Sequence, residues 1–135
     1  MALSEAQIRT RLEPRIKRDL LRRGTRVQNK AKRLVSGAES HPKRVDTGNL
    51  RSSIATQESR FLGSPAVRIG TNVRYALYVH QGTGLYGPRR RLIRPRTSKV
   101  LVFKSRVSRR TVFARYVRGM RPNNFLTDAL SAARG

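Results

Sequence analysis

The stretch SEAQIRTRLEPRIKRDLLRRGTRVQNKAKRLVS, residues 4–36, decides most of the fold. Ile8, Leu12, Ile16 and Leu20 recur every four residues, and Val27, Ala31 and Leu34 carry the apolar stripe on along nearly the same face. Residues four apart sit about one turn apart, so the spacing predicts an amphipathic helix with a core-facing stripe and a solvated basic face. The alternative is that the basic face docks on DNA or on a partner. Ser4 and Gln7 have the spacing of a capping box, which fixes the start. Pro14 lacks the N–H that an interior turn needs, so a kink or an early break is expected there. The helix then runs on to about Ser36 and stops at Gly37.

Outward from that helix, residues 38–44 are a polar connector containing His41 and Pro42. In Val45-Asp46-Thr47-Gly48-Asn49-Leu50-Arg51-Ser52-Ser53-Ile54, Asp46 or Thr47 can cap a short helical turn that sets Leu50 and Ile54 on one side. A strand to about Leu62, turn chemistry at Gly63-Ser64-Pro65 and the alternation Ala66-Val67-Arg68-Ile69-Gly70 predict a hairpin. Tyr75 and Val79 have helical spacing, and Gly82 and Gly84 then predict a flexible bend. Val100 to Phe103 is a β-prone run, whose partner is Leu92 to Arg96 or Thr111 to Val117. Near the end, Asn123 or Asn124 caps a helix with Phe125, Leu126, Ala129 and Leu130 on one face. No internal repeat is visible. The expected class is α+β: a small antiparallel sheet packed by the long N-terminal helix, a short C-terminal helix and an extended basic loop or hairpin. One domain spanning residues 1–135 is expected, divided into a helix (1–37), a motif region (45–84), basic loop and strands (85–121) and a C-terminal helix (122–135).

Composition narrows the function. The 135 residues are 37% apolar and 6% aromatic, which predicts a modest core and favours an assembly subunit that buries further surface against copies of itself. The 31 Lys and Arg against 7 Asp and Glu leave a net charge of +24, and such self-repulsion calls for a polyanionic or acidic partner. Nucleic acid and an acidic neighbouring protein both satisfy that demand. With no cysteine, disulfide scaffolds, thiolate zinc sites and cysteine nucleophiles are excluded. No run of roughly 18 apolar residues is present, and Glu5 and scattered arginines interrupt any signal-peptide core, so the expectation is a soluble product made in the cytoplasm with no membrane partner.

Raw material for catalysis is thin. His41 and His80 are the only histidines and no His or Asp cluster has ligand spacing, so neither a metal nor any other cofactor is expected. His80 suits the carbonyl end of a short helix. Asp46, Glu39 and Glu58 offer carboxylates, but nothing in the sequence brings two together, and Asp46 reads more simply as a cap. Gly82, Gly84 and Gly87 lack the Gly-Lys-Ser/Thr and the following helix of a phosphate loop, so a hinge is the better reading. The richest feature begins at Arg89-Arg90-Arg91 and continues through Arg94, Arg96, Lys99, Lys104, Arg106, Arg109, Arg110, Arg115, Arg118 and Arg121. It is either a surface that tracks a polyanion or a set of solvated faces. The interleaved Phe103, Phe113 and Tyr116 read as core-fillers before base-stackers.

The order of these signals resembles the tail-completion or neck family of long-tailed bacteriophages. The likeness rests on the block from Val45 to Ile54, on Ile69-Gly70-Thr71-Asn72-Val73-Arg74-Tyr75-Ala76 and on Tyr78-Val79-His80-Gln81-Gly82-Thr83. It continues through Ile93-Arg94-Pro95 and the Val100-to-Phe103 strand to Asn124-Phe125-Leu126-Thr127-Asp128-Ala129-Leu130. Members carry Asp-Thr-Gly-x-Leu-Arg-x-Ser-Ile, a Tyr-Ala block leading into Gly-Thr, and a terminal Phe-Leu-x-x-Ala-Leu helix. They often have Glu where this chain has His80. The resemblance implies a virion subunit, in the neck or tail, that forms a ring of six copies between the head connector and the tail tube or tail terminator, around the channel for packaged DNA. It gives Asp46, Thr47, Gly48, Leu50, Arg51, Ile54, Tyr75, Ala76, Gly82 and Thr83 an architectural role. Phe125 and Leu126 are core or reach a neighbouring subunit, and Arg89, Arg90, Arg91, Arg94 and Arg96 form an exposed arm for partner contact. Such an arm is expected to meet an acidic surface of the next ring, because a lumen densely lined with arginine hinders DNA passage. A free-standing basic nucleic-acid-binding protein is the alternative that charge alone leaves open.

Overall fold

The structure, a computed structural model, describes residues 2–44 and 48–134. Its elements are α1 (Glu5–Val35), α2 (Asn49–Ser53), β1 (Ala55–Phe61), β2 (Ser64–Gly70), α3 (Ala76–Gln81), β3 (Leu101–Lys104), β4 (Thr111–Ala114) and α4 (Phe125–Ala129), with 3-10 turns at Gly84–Tyr86 and Leu130–Ala133. The α+β class holds, and the strands form two separate two-stranded antiparallel sheets, β1-β2 and β3-β4. The chain divides into two compact units, Met1–Ala76 with Asn124–Gly135, and Leu77–Asn123.

The first unit is organised by α1. Ser4 Oγ accepts the Gln7 N–H at 3.3 Å while Gln7 Oε1 accepts the Ser4 N–H at 2.9 Å, completing the capping box. Glu5 in the first turn and Lys32 and Arg33 in the last suit the helix dipole. At the far end Ser36 is the C-cap and Gly37 adopts φ +100°, a left-handed stop that glycine takes without a Cβ clash.

Pro14 does not break the helix, which runs unbroken for 31 residues. The proline removes one bond, to the carbonyl of Thr10, and both residues are exposed, so water can take the bond's place. Flanking turns are held by the i,i+4 pairs Glu5–Arg9, Glu13–Lys17 and Asp19–Arg23.

The apolar stripe divides. Val27, Ala31, Leu34 and Val35 are buried, whereas Ile8, Leu12 and Ile16 remain 42%, 46% and 46% exposed. Four-residue spacing overshoots a 3.6-residue turn by about 40° per step, so the row from Leu20 back to Ile8 winds about 120° away from the core face. The β1-β2 hairpin also stops short: Thr56 Oγ1 donates to Gln28 Oε1 at 2.8 Å near one end, and Arg60 meets Glu13 at the other. Close approach in between relies on Gly24, where a Cβ would lie 2.6 Å from Thr56 Cγ2.

The hairpin register runs from Ala55↔Gly70 to Phe61↔Ser64. Its turn is therefore Leu62-Gly63, both at positive φ, and Ser64 and Pro65, expected in the turn, belong to the strand. Gly48 (φ +84°) holds the N-cap position of α2, whose Leu50 is buried along with Ile54 just beyond it. Asp46 and Thr47, the expected caps, lie outside the described residues. Leu34, Leu50, Ile54, Phe125 and Ala129 are core residues of this unit, each large side chain stabilising by about 1.5–3 kcal/mol on burial. On α4 the expected apolar face is narrower: Phe125 and Ala129 are fully buried, Leu126 is half-buried and Leu130 is exposed. Asn124 stands at the N-cap without a side-chain capping bond.

Candidate interaction surface

The second unit is built on a backbone crossing. After α3, Gly82 turns at φ +80°, and residues 83–85 run against 118–120 through Thr83 N–H to Met120 O (2.9 Å), Leu85 N–H to Arg118 O (2.8 Å) and Met120 N–H to Thr83 Oγ1 (2.9 Å). The glycines expected to make this segment flexible instead let two backbones touch. A Cβ on Gly84 would fall on the Arg118 carbonyl oxygen, one on Gly119 on the Thr83 carbonyl oxygen, and one on Gly82 within 2.8 Å of Met120 O and Tyr86 O. Gly82 and Gly87 are buried, which fits a packed joint and not a hinge.

From this joint the arm leaves and returns. Arg89, Arg90, Arg91, Arg94 and Arg96 are all exposed, and the segment is re-anchored by the mutual bonds of Ile93 and Val117 at 2.9 and 3.0 Å. Arg89, Arg91, Arg94 and Arg96 line an open cleft of about 820 Å³ together with Tyr78 and Gln81. Arg121 lies with its guanidinium carbon 5.5 Å from the centre of the Tyr86 ring, a cation–π contact. Beyond the arm, β3 and β4 pair from Leu101↔Ala114 to Lys104↔Thr111, so of the two candidate partners Thr111 to Val117 supplies the strand. Phe103, Phe113 and Tyr116, read as core-fillers, are all exposed, because a ribbon of only two strands is too narrow to close a core over either face.

Charge separates by unit. Residues 77–123 hold thirteen Lys and Arg and no Asp or Glu. All thirteen are exposed. The ion pairs found among the described residues all lie in the first unit, where the acidic residues are. Charges of one sign within a Debye length of about 8–10 Å repel one another, so the second unit gains most from an anionic surface laid against it.

In the first unit, α2 carries Leu50 inward and Arg51 outward and Ile54 is buried just past its end, while Tyr75 is exposed and Ala76 buried. Phe125 is wholly core, and Leu126 keeps part of its surface outside. Sequence reasoning missed one cluster. His41 Nε2 lies 2.7 Å from Asp128 Oδ2, with Lys30 bonded to Ser131 Oγ at 2.8 Å and 3.6 Å from Glu39. The Asp128 hydrogen bond raises the His41 pKa above its ordinary 6.5, outweighing the opposing effect of burial. His41 and Asp128 are 87 positions apart, and only the return of α4 onto α1 joins them. Among the described residues no group of three His, Cys, Asp or Glu is placed to hold a metal ion, and no helix is long and apolar enough to cross a membrane.

Residues 6–82, more than half the chain, match the family model described as "Bacteriophage HK97-gp10, putative tail-component". The chain belongs to this family. The match spans α1 from its second residue, α2, the β1-β2 hairpin and α3, and takes in the Asp46-to-Ile54 and Tyr75-Ala76 sequence motifs. Membership makes the chain a structural phage tail component of the tail-completion or neck kind, and so a virion protein that works against other virion proteins. The basic arm and the β3-β4 ribbon fall after the matched segment. No curated protein and no solved structure matches the chain.

Proposed function

We propose that this tail component is a non-catalytic ring subunit at the head–tail junction, joining the head connector to the tail tube or tail terminator around the DNA channel. The observation that carries the reading is the family match over residues 6–82. A channel that passes DNA has to close around an axis, so the contact between copies is heterologous, one surface of a subunit meeting a different surface of the next. Six copies, as in the tails the family serves, complete the ring. Leu126, half-buried at the edge of the first unit's core, is the apolar contact offered to a neighbouring copy.

The arm has a separate task. Arg89, Arg90 and Arg91 are consecutive, exposed and set beside a joint of closely packed backbone, so they project from a fixed base. Arg94 and Arg96 extend the same charged edge. Bidentate arginine–carboxylate pairs fix orientation as well as adding energy, which suits docking on an acidic surface of the adjacent ring. Replacing Arg89, Arg90 and Arg91 together with Ser should leave the subunit folded and leave heads and tails unjoined. Particles that join normally yet leak or eject DNA abnormally would instead put the arm in the channel.

A further inference from the structure

We infer that the β3-β4 ribbon is a contact for duplex DNA, with Lys104, Arg109 and Arg110 neutralising backbone phosphates. The inference concerns a segment outside the family match and does not depend on ring closure.

Shape is the first support. β3 and β4 make a free-standing antiparallel pair four residues long, paired to each other alone among the described strands. The major groove of B-DNA, about 12 Å wide, admits an element of this size. The tip is ordered: Ser105 N–H donates to Arg110 O at 2.8 Å and Ser108 N–H to Ser105 Oγ at 3.2 Å. Arg109 holds φ +55° within this turn, so its cation is displayed from a defined backbone. Cross-strand register sets the pairs Val102↔Phe113 and Lys104↔Thr111 on one face. Val102 and Phe113 are 59% and 68% exposed there, an apolar strip beside a cation that can lie against sugar and base edges.

The pattern of charge is the second support. Residues 77–123 contain no carboxylate at all, and Lys104, Arg109 and Arg110 are exposed on the ribbon and its tip. A phosphate backbone is uniformly negative, and a surface of cations alone meets it through counterion release with no sequence register to satisfy. Contacts of this electrostatic kind also let a duplex slide, so a few cations per subunit are compatible with a channel that DNA traverses.

The test uses the purified full chain and a 20-base-pair duplex, with binding followed by fluorescence anisotropy across a salt series. Each phosphate contact contributes about 0.9 to the slope of log K against log salt, so K104Q/R109Q/R110Q should flatten that slope by about 2.7. Raising salt fourfold would then weaken the wild type about 40-fold more than the variant. A variant slope equal to the wild type's overturns the inference. So does poly-L-glutamate displacing the duplex at equal charge concentration, which would make the partner an acidic protein. Independently of the variant's folding, acetylation of the wild-type chain should show Lys104 shielded by the duplex and Lys32 unshielded, and equal modification of both also overturns it.

Discussion

Replacing Gly84 with alanine should destabilise the protein far more than replacing Gly63 with alanine, although both glycines have positive φ. Gly84 sits at φ +63° and Gly63 at φ +79°, so each substitution forces a Cβ into left-handed backbone at a cost of about 1–2 kcal/mol. At Gly63 nothing lies within 4 Å of the added atom, and the cost ends there. At Gly84 the added carbon lands on the Arg118 carbonyl oxygen, a backbone atom that cannot swing aside as a side chain would. The two segments have to part, and the bonds Thr83–Met120, Leu85–Arg118 and Met120–Thr83 Oγ1 are lost or stretched. At about 1 kcal/mol each, these raise the total for Gly84→Ala to about 4–5 kcal/mol. Urea denaturation of the two variants measures the difference, expected to be about 3 kcal/mol. Amide hydrogen exchange locates it, with the Thr83, Leu85 and Met120 amides exchanging fast in Gly84→Ala and as in the wild type in Gly63→Ala. Equal destabilisation by the two substitutions, or slow exchange preserved at those amides, would refute the packed-joint account.

Leu34→Ala should cost about 2–5 kcal/mol and Leu12→Ala less than about 1 kcal/mol in the same denaturation assay, because the first leaves a cavity in a closed core and the second trims a side chain that is already 46% exposed. Stability should also depend on His41. A raised folded-state pKa means the His41–Asp128 contribution is fully present below the unfolded pKa of about 6.5 and is lost as pH rises through the folded value. His41→Gln should therefore narrow the stability gap between about pH 6 and about pH 9, by no more than about 1 kcal/mol since the Asp128 carboxylate is half exposed to screening solvent. Urea midpoints at the two pH values test this, and a wild-type gap unchanged in the variant would contradict it.

The parts of the fold legible in the sequence are those set by local chemistry. The Ser4–Gln7 box, the Gly37 stop and the Ala66-to-Gly70 alternation depend on neighbours within a few residues, and the structure has all three, the strand starting two residues earlier at Ser64. Pro14 was misleading because its effect depends on whether the orphaned carbonyl meets water, which composition does not reveal. The stripe from Ile8 to Leu20 looked continuous because four-residue spacing approximates a helical turn, yet the accumulated drift turns its first half away from the core. Glycines at 82, 84 and 119 were the least legible. In sequence a glycine that loosens the chain and a glycine that admits a second backbone are identical, and only the close approach of residues 83–85 and 118–120 tells them apart. For the interaction surface, the basic residues could be counted in advance. Their gathering into a carboxylate-free unit, and the His41–Asp128 pair, required the long-range contacts.

The ring at the head–tail junction is the central claim, and cryo-electron microscopy of virions assembled with this chain tests it most directly. Copies of the chain are expected in a closed ring at the junction, six in number, each presenting different surfaces to its two neighbours. A chain absent from assembled particles, or present only as two-fold symmetric dimers, would contradict it.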